Sequence, residues 1–194
     1  MSDADRLGPE RLEAEPSWEE KVLKLNQAFA EQGIPYAFGG AIALNYHREP
    51  RSTLDIDINV FLPPDGRGDV LAVLSSLYTA DEERITSDLA QQGQTRSLWG
   101  STFVDLFFTN TEFHESMAER VSYEPFGEAQ LPVISAEDLL VCKVLYDRPK
   151  DWLDIEAVAG TRGNALDKDY VRRWVGEFLT EDDPRLARLN SLVS

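Results

Sequence analysis

The stretch that most constrains the fold is 54–62, where apolar and polar residues alternate. Ile56, Ile58 and Val60 fall on one face, and Asp55, Asp57 and Asn59 on the other. A period of two is that of a β-strand, in which residues two apart point the same way. Two carboxylates therefore leave one face side by side. Like charges that close repel, and one pKa is raised unless a cation sits between them. Hard oxygen donors without His or Cys suit Mg²⁺ rather than zinc. His47, His114 and Cys142 are the chain's whole supply of His and Cys; the single cysteine excludes an internal disulfide and a multi-cysteine zinc site. The competing reading of the two acids is the solvent face of an edge strand.

The surrounding chain reads as α/β (α+β). Ser17 with Glu20 three residues on forms a capping-box pattern, and Val22, Leu25 and Phe29 recur at helical spacing, so a helix is expected over 18–32. A strand at 34–38 runs into Gly39-Gly40 and a helix at 41–46. A turn at 63–66 precedes a helix at 67–79. The stretch 80–96 is weak, partly helix and partly loop. A strand is expected over 101–108, a helix over 112–120 and irregular or extended chain over 123–134. Ser135, with Asp138 at the third position, caps a helix that runs to 146. A helix over 151–159 is broken by Gly160 and Gly163, and a last one covers 169–179. This gives a flexible tail at 1–16, a catalytic lobe at 17–134 and a helical lobe at 135–194.

Composition narrows the class. Hydrophobic residues make up 42% and charged residues 28% of 194, so the chain can bury a core and is not globally disordered. No apolar run approaches the roughly 18 residues of a membrane span. The acidic, polar start is not a signal peptide, so a cytoplasmic location is expected. The net charge of -16 opposes broad electrostatic binding to nucleic acid. A local basic patch from Arg96, Arg120, Lys143, Arg148, Lys150, Arg162, Lys168, Arg172 and Arg173 stays open.

A further acid, Asp105, lies inside the apolar run 103–107. An ionised carboxylate there is costly unless something pairs with it. If its strand neighbours 54–62, three carboxylates converge, enough to hold two divalent ions about 3.5–4 Å apart. Gly39-Gly40 sits between strand and helix, where helix N-terminal amides hold phosphate; a tight turn also needs glycine. Arg51 and Thr53 flank the acids, as phosphate contacts or as a surface loop.

The run Gly39-Gly40-Ala41-Ile42-Ala43, then Arg51-x-Thr53-x-Asp55-Ile56-Asp57, resembles the nucleotidyltransferase superfamily that includes DNA polymerase beta. It is most similar to the AbiEii-type and MenT-type toxin nucleotidyltransferases and their relatives. The segment from Ser135 through Lys143, and then Arg148-Pro149-Lys150-Asp151-Trp152-Leu153-Asp154-Ile155, is also similar to that group. The resemblance covers roughly 17–160. It implies a mixed sheet flanked by helices, with a small C-terminal helical lobe. It implies Mg²⁺-dependent transfer of a nucleoside monophosphate from an NTP to a hydroxyl of a tRNA 3′ end, a protein or a small molecule. Asp55 and Asp57 would ligate two metals; Asp105 would be the third ligand and the general base. Gly39 and Gly40 would cradle the triphosphate, Lys143 would contact it, and Asp154 would match a further family acid. An antitoxin partner is implied by the same likeness. Many toxins of the group have Gly-Ser at the turn where this chain has Gly40. The competing functions are a non-catalytic binding module with the same fold and a plain interaction domain with an acidic face.

Within the helical lobe, Lys143 shares a helix face with Leu139, Leu140 and Tyr146. A lysine on a packed face wants an anion. That anion is either phosphate or Asp151 and Asp154. The two acids also suit a helix N-cap and first turn. Cys142 reads as a small buried hydrophobe, and Trp99, Trp152 and Trp174 as core or lobe-interface residues. No catalytic role is expected for His47 or His114.

Overall fold

The computed structural model describes residues 14–49 and 53–193. Helix α1 (Trp18–Glu31) starts at the expected capping box, with Glu20 N–H donating to Ser17 Oγ and Ser17 N–H to the Glu20 carboxylate. Strand β1 (Tyr36–Phe38) turns at Gly39 into α2 (Gly40–His47). Strand β2 (Ile56–Val60) carries the alternating segment. A 3₁₀ turn (Pro64–Gly66) leads to α3 (Arg67–Leu77) and α4 (Glu82–Gln92). Then come β3 (Gln94–Trp99), β4 (Thr102–Phe108), α5 (Glu112–Glu119), β5 (Ser122–Phe126) and β6 (Ala129–Val133). The chain finishes with α6 (Ala136–Tyr146), α7 (Pro149–Arg162), α8 (Lys168–Phe178) and α9 (Pro184–Leu192).

The six strands form one mixed sheet in the order β3-β4-β2-β1-β6-β5. β2 lies parallel to β4 and β1 parallel to β6; the other pairs are antiparallel. The apolar face of β2, Ile56, Ile58 and Val60, is buried. The β2 acids therefore lie on an interior strand, which removes the edge-strand reading.

Three expectations need correction. The stretch 80–96, read as partly helix and partly loop, holds α4 but ends in the start of β3, which runs on to Trp99; the inward residues of β3 include Thr95 and Ser97, so burial alternates along it without apolar alternation. The stretch 123–134, expected to be irregular or extended, is extended and forms the β5–β6 hairpin, where prolines at 125 and 132 obscure the strand pattern. α7 begins at Pro149 and passes through Gly160 before ending at Gly163, which has φ 52°. α9 follows the helix expected to be last, with Asp183 as N-cap and Pro184 at the first position, where proline fits a helix.

Residues 1–13 lie outside the described residues, but the end of the expected tail is tied down. Glu15 accepts from Lys21 and from Ser101 N–H and Oγ, and Lys21 also donates to the Trp99 carbonyl and Thr102 Oγ1. One core cluster runs from Val22 to Val193, across the lobe boundary expected at 134–135. Trp99, Trp152 and Trp174 are all buried in it. Among the described residues, no helix is long and apolar enough to cross a membrane.

Candidate active site

The parallel register of β2 and β4 sets Asp57 directly opposite Asp105. Asp55, immediately before β2, projects to the same side. All three line a cleft of about 670 Å³, together with Gly40, Thr53 and Lys143. Thr53 shapes the approach: Asp55 N–H donates to Thr53 Oγ1 at 3.2 Å, which turns the chain just before the strand. Arg51 lies outside the described residues.

Gly40 opens α2 with φ 49°, and a Cβ built there would stand 1.9 Å from Asp57 Oδ2. A side chain at Gly39 would meet Asn59 Nδ2 at 2.7 Å. The glycine pair thus lets the turn press against the acidic strand, and Gly39 N–H also donates to the Asp57 carbonyl at 2.9 Å. Gly39 does not line the cleft; Gly40 does.

The acids feel one another. Burial pushes the Asp57 carboxyl up to about 6, and the charges of Asp105 and Asp55 add to the rise; Arg148 and Lys143 oppose it. Asp105 is compensated by Arg96 on β3, which donates Nε to Oδ1 at 2.7 Å and Nη2 to Oδ2 at 2.6 Å. With Asp105 turned to Arg96, no three acidic, His or Cys side chains among the described residues stand together as a metal cluster. The donor chemistry still fits a hard divalent ion: Asp55 and Asp57 offer carboxylate oxygens from one side, and a cation would relieve the repulsion that raises Asp57.

Lys143 has the carboxylate partners that spacing allowed. Its Nζ donates to Asp154 Oδ2 at 2.6 Å and Asp151 Oδ1 at 3.1 Å. Arg148 grips the other side of Asp151, and Arg48 donates to Asp154 Oδ1 at 3.0 Å. Asp154 stands behind Lys143 and does not line the cleft. Burial works to raise the Asp151 carboxyl, but the Arg148 hydrogen bonds and the Lys143 charge outweigh it and hold it below the ordinary value. Lys143 is thus a cleft-lining cation steadied from behind. Of the remaining polar candidates, His47 Nε2 donates to the Ile134 carbonyl at 3.0 Å and His114 Nδ1 pairs with Thr111 Oγ1. Cys142 is half-buried, its thiol pushed up to about 12 by burial.

Sequence reasoning named Arg96 and Arg148 only as members of a possible basic patch and gave Tyr146 no role in the site, though all three line the cleft. The pairing of Arg96 with Asp105 carried no signal, because only the β3–β4 pairing brings the two together. Tyr146 and Arg148 stand at the junction of α6 and α7, which the Arg-Pro step marked as a helix boundary.

The sequence profile described as "Nucleotidyl transferase AbiEii toxin, Type IV TA system" matches residues 24–192. The chain belongs to this family. As a nucleotidyltransferase it is an enzyme, and its fold agrees with solved structures of that class. The antibiotic-resistance factor ANT(2'')-Ia has a TM-score of 0.57 at 18% identity, over 88% of this chain and 93% of that one. ANT(2'')-Ia in complex with adenylyl-2''-tobramycin has a TM-score of 0.55 at 15% identity, over 83% and 98%. An antigenic nucleotidyltransferase-like protein from Paracoccidioides brasiliensis has a TM-score of 0.51 at 13% identity, over 91% and 94%. No curated protein sequence matches the chain. In this chain the Gly40 geometry gives a physical reason for a second glycine at the turn: a Cβ there would collide with Asp57 as it is placed.

Proposed function

We propose that this nucleotidyltransferase moves a nucleoside monophosphate from an NTP to an acceptor hydroxyl, with Mg²⁺ as cofactor, and acts in the cytoplasm as the toxin of a pair with an antitoxin. The observation that carries the reading is the meeting of Asp55, Asp57 and Asp105 in one cleft with the Gly40 turn and Lys143. Asp55 and Asp57 would hold the metal, with Asp105 joining them when Arg96 lets go. When bound, the metal neutralises charge on the triphosphate. The chain's own residues do the rest. The α2 N-terminus and Lys143 hold phosphate oxygens, and Thr53 keeps Asp55 aimed. The acceptor oxygen forms a bond to the α-phosphorus, the α–β bridging P–O bond breaks, and pyrophosphate leaves. Asp105 takes the hydroxyl proton.

For the acceptor, ion pairing favours a small molecule or a protein hydroxyl over a long polyanion. Arg96, Arg120, Lys143, Arg148 and Arg172, all candidates for a basic patch, each pair with a carboxylate. The test is label transfer from α-³²P NTPs, with Mg²⁺, into small-molecule, protein and tRNA pools, by wild type and Asp57→Asn. Label in one pool, lost in the variant, supports the reading and names the acceptor class. No label in any pool, with NTP binding intact, overturns it.

A further inference from the structure

Beyond Asp57 the cleft opens into a second chamber of about 340 Å³. The two spaces share a wall that includes Gly40, Asp57, Gln92, Gln94, Lys143 and Tyr146, so they are continuous. Their chemistry differs. The main cleft carries several carboxylates, whereas Asp57 is the sole acid lining the chamber among the described residues. Its cations, Lys143 and Arg148, also stand on the shared wall. The rest of the lining is neutral and rich in rings: Phe107 and Tyr146 on the shared wall, buried Phe113, and Phe178 at an exposed edge. Phe107 and Tyr146 meet edge to face, with ring centres 6.4 Å apart and planes at 67°. The β2 face follows the same gradient: Asp55 and Asp57 at the cleft, then Asn59 in the chamber.

Neutral amides sit among these rings. Gln92 and Asn110 line the chamber, and no described residue makes a hydrogen bond with either side chain. Asn110 packs against Gly93, where a Cβ would come within 3.1 Å of Asn110 Nδ2. An amide offers a donor and an acceptor together. Flat rings with such edges are the means by which proteins stack and read a nucleobase. The volume lies at the low end for ligand sites, enough for a base with its sugar but not for a triphosphate as well.

We propose that this chamber is the nucleobase subsite of the donor NTP, with Asn110 reading the base edge and the Phe107–Tyr146 pair forming its stacking wall. The inference rests on the nucleotidyltransferase reading above. The base enters past Asp57, and the triphosphate stays in the main cleft beside Gly40 and Lys143. Selection among the four NTPs then comes from neutral amide contacts, not from charge.

The experiment is titration calorimetry in Mg²⁺ with inorganic tripolyphosphate and with each of the four NTPs. It compares wild type, Asn110→Ala and Cys142→Trp, the last placing a bulky ring in the chamber. Wild type is expected to bind its preferred NTP at least tenfold tighter than tripolyphosphate and to rank the four. Asn110→Ala, an exposed loop position, should flatten that ranking by fivefold or more. Cys142→Trp should remove the advantage of NTP over tripolyphosphate. Unchanged tripolyphosphate affinity in both variants would show that they fold. NTPs that bind no tighter than tripolyphosphate in wild type, or a ranking that survives both variants, overturn the subsite and leave the nucleotidyltransferase reading standing. Binding of neither tripolyphosphate nor any NTP overturns both.

Discussion

Arg96 holds both carboxylate oxygens of Asp105, through Nε at 2.7 Å and Nη2 at 2.6 Å, from the strand next to the one that Asp57 faces. The guanidinium also lies over the Phe103 ring, 4.7 Å from its centre, on a side chain that is half exposed. Such a two-pronged pair is geometrically specific. It neutralises Asp105 without a metal, so a metal that recruits Asp105 must compete with Arg96. Arg96→Gln is therefore expected to lower the melting temperature without Mg²⁺, because Asp105 then faces Asp57 and Asp55 without its own cation. The same variant should show a larger Mg²⁺-induced rise than wild type. Thermal melts across a Mg²⁺ titration check this; an equal or smaller rise in the variant would remove Arg96 as a competitor.

Asp57 gives a pH prediction whose sign is fixed by its environment. Its carboxyl titrates near 6 in the fold against an ordinary 3.8, chiefly because it is buried and secondarily because Asp105 and Asp55 stand close. A raised carboxyl stabilises the fold fully below pH 4, and that contribution is lost as the pH climbs through 6. Asp57→Asn should therefore stabilise the metal-free protein at pH 7, by up to about 3 kcal/mol, and by much less at pH 4. Transfer activity should vanish in the same variant. In wild type, Mg²⁺ affinity should fall as the pH drops below about 6, since protons then compete for Asp57. Denaturant unfolding at the two pH values, with and without Mg²⁺, measures each part.

Gly40 cannot accept the serine that many related toxins have at this turn without moving Asp57. A Cβ would stand 1.9 Å from the Asp57 carboxylate, and the backbone holds φ 49°. Gly40→Ser is expected to cost about 1–3 kcal/mol from the backbone alone, and more if the carboxylate cannot shift. Transfer should fall with it, because the carboxylate that moves is a proposed metal donor. Wild-type stability together with wild-type activity in this variant would contradict the packing described here.

The acidic strand was legible because one face of β2 is buried and the other lines the cleft, which leaves apolar and polar residues alternating from Leu54 to Val60. Helices α1 and α6 were legible from their caps, Ser17 and Ser135, whose side chains do accept the expected N–H bonds. The parallel register that sets Asp57 against Asp105 was not, since strand order arises from contacts between segments far apart in the chain. β3 was hidden because Thr95 and Ser97 fill inward positions that pattern reading expects to be apolar. The pairing of Arg96 with Asp105 followed it out of sight. For Lys143 the spacing left phosphate and carboxylate both open, and the fold supplies two carboxylates, Asp151 on the cleft wall beside it and Asp154 behind, while keeping the lysine on that wall.

The last prediction separates those two roles of Lys143. Its ammonium is buried and shared between Asp151 and Asp154, which also reach Arg148 and Arg48. Lys143→Ala leaves two buried carboxylates short of a cation, and loss of one partner from such a pair costs about 3–5 kcal/mol. Asp154→Asn should cost less, because Asp151 still receives the lysine. The Asp151 carboxyl is held below its ordinary value, so its contribution is present above about pH 4 and fades as the pH falls further. Acid unfolding of Lys143→Ala should therefore be less steep below pH 4 than that of wild type. A phosphate role adds a separate effect: in folded Lys143→Ala, NTP affinity should drop tenfold or more while Mg²⁺ affinity changes little. Calorimetry below the variant's melting temperature reads this directly. If NTP affinity is unchanged while stability falls, the lysine acts as an internal ion-pair residue alone.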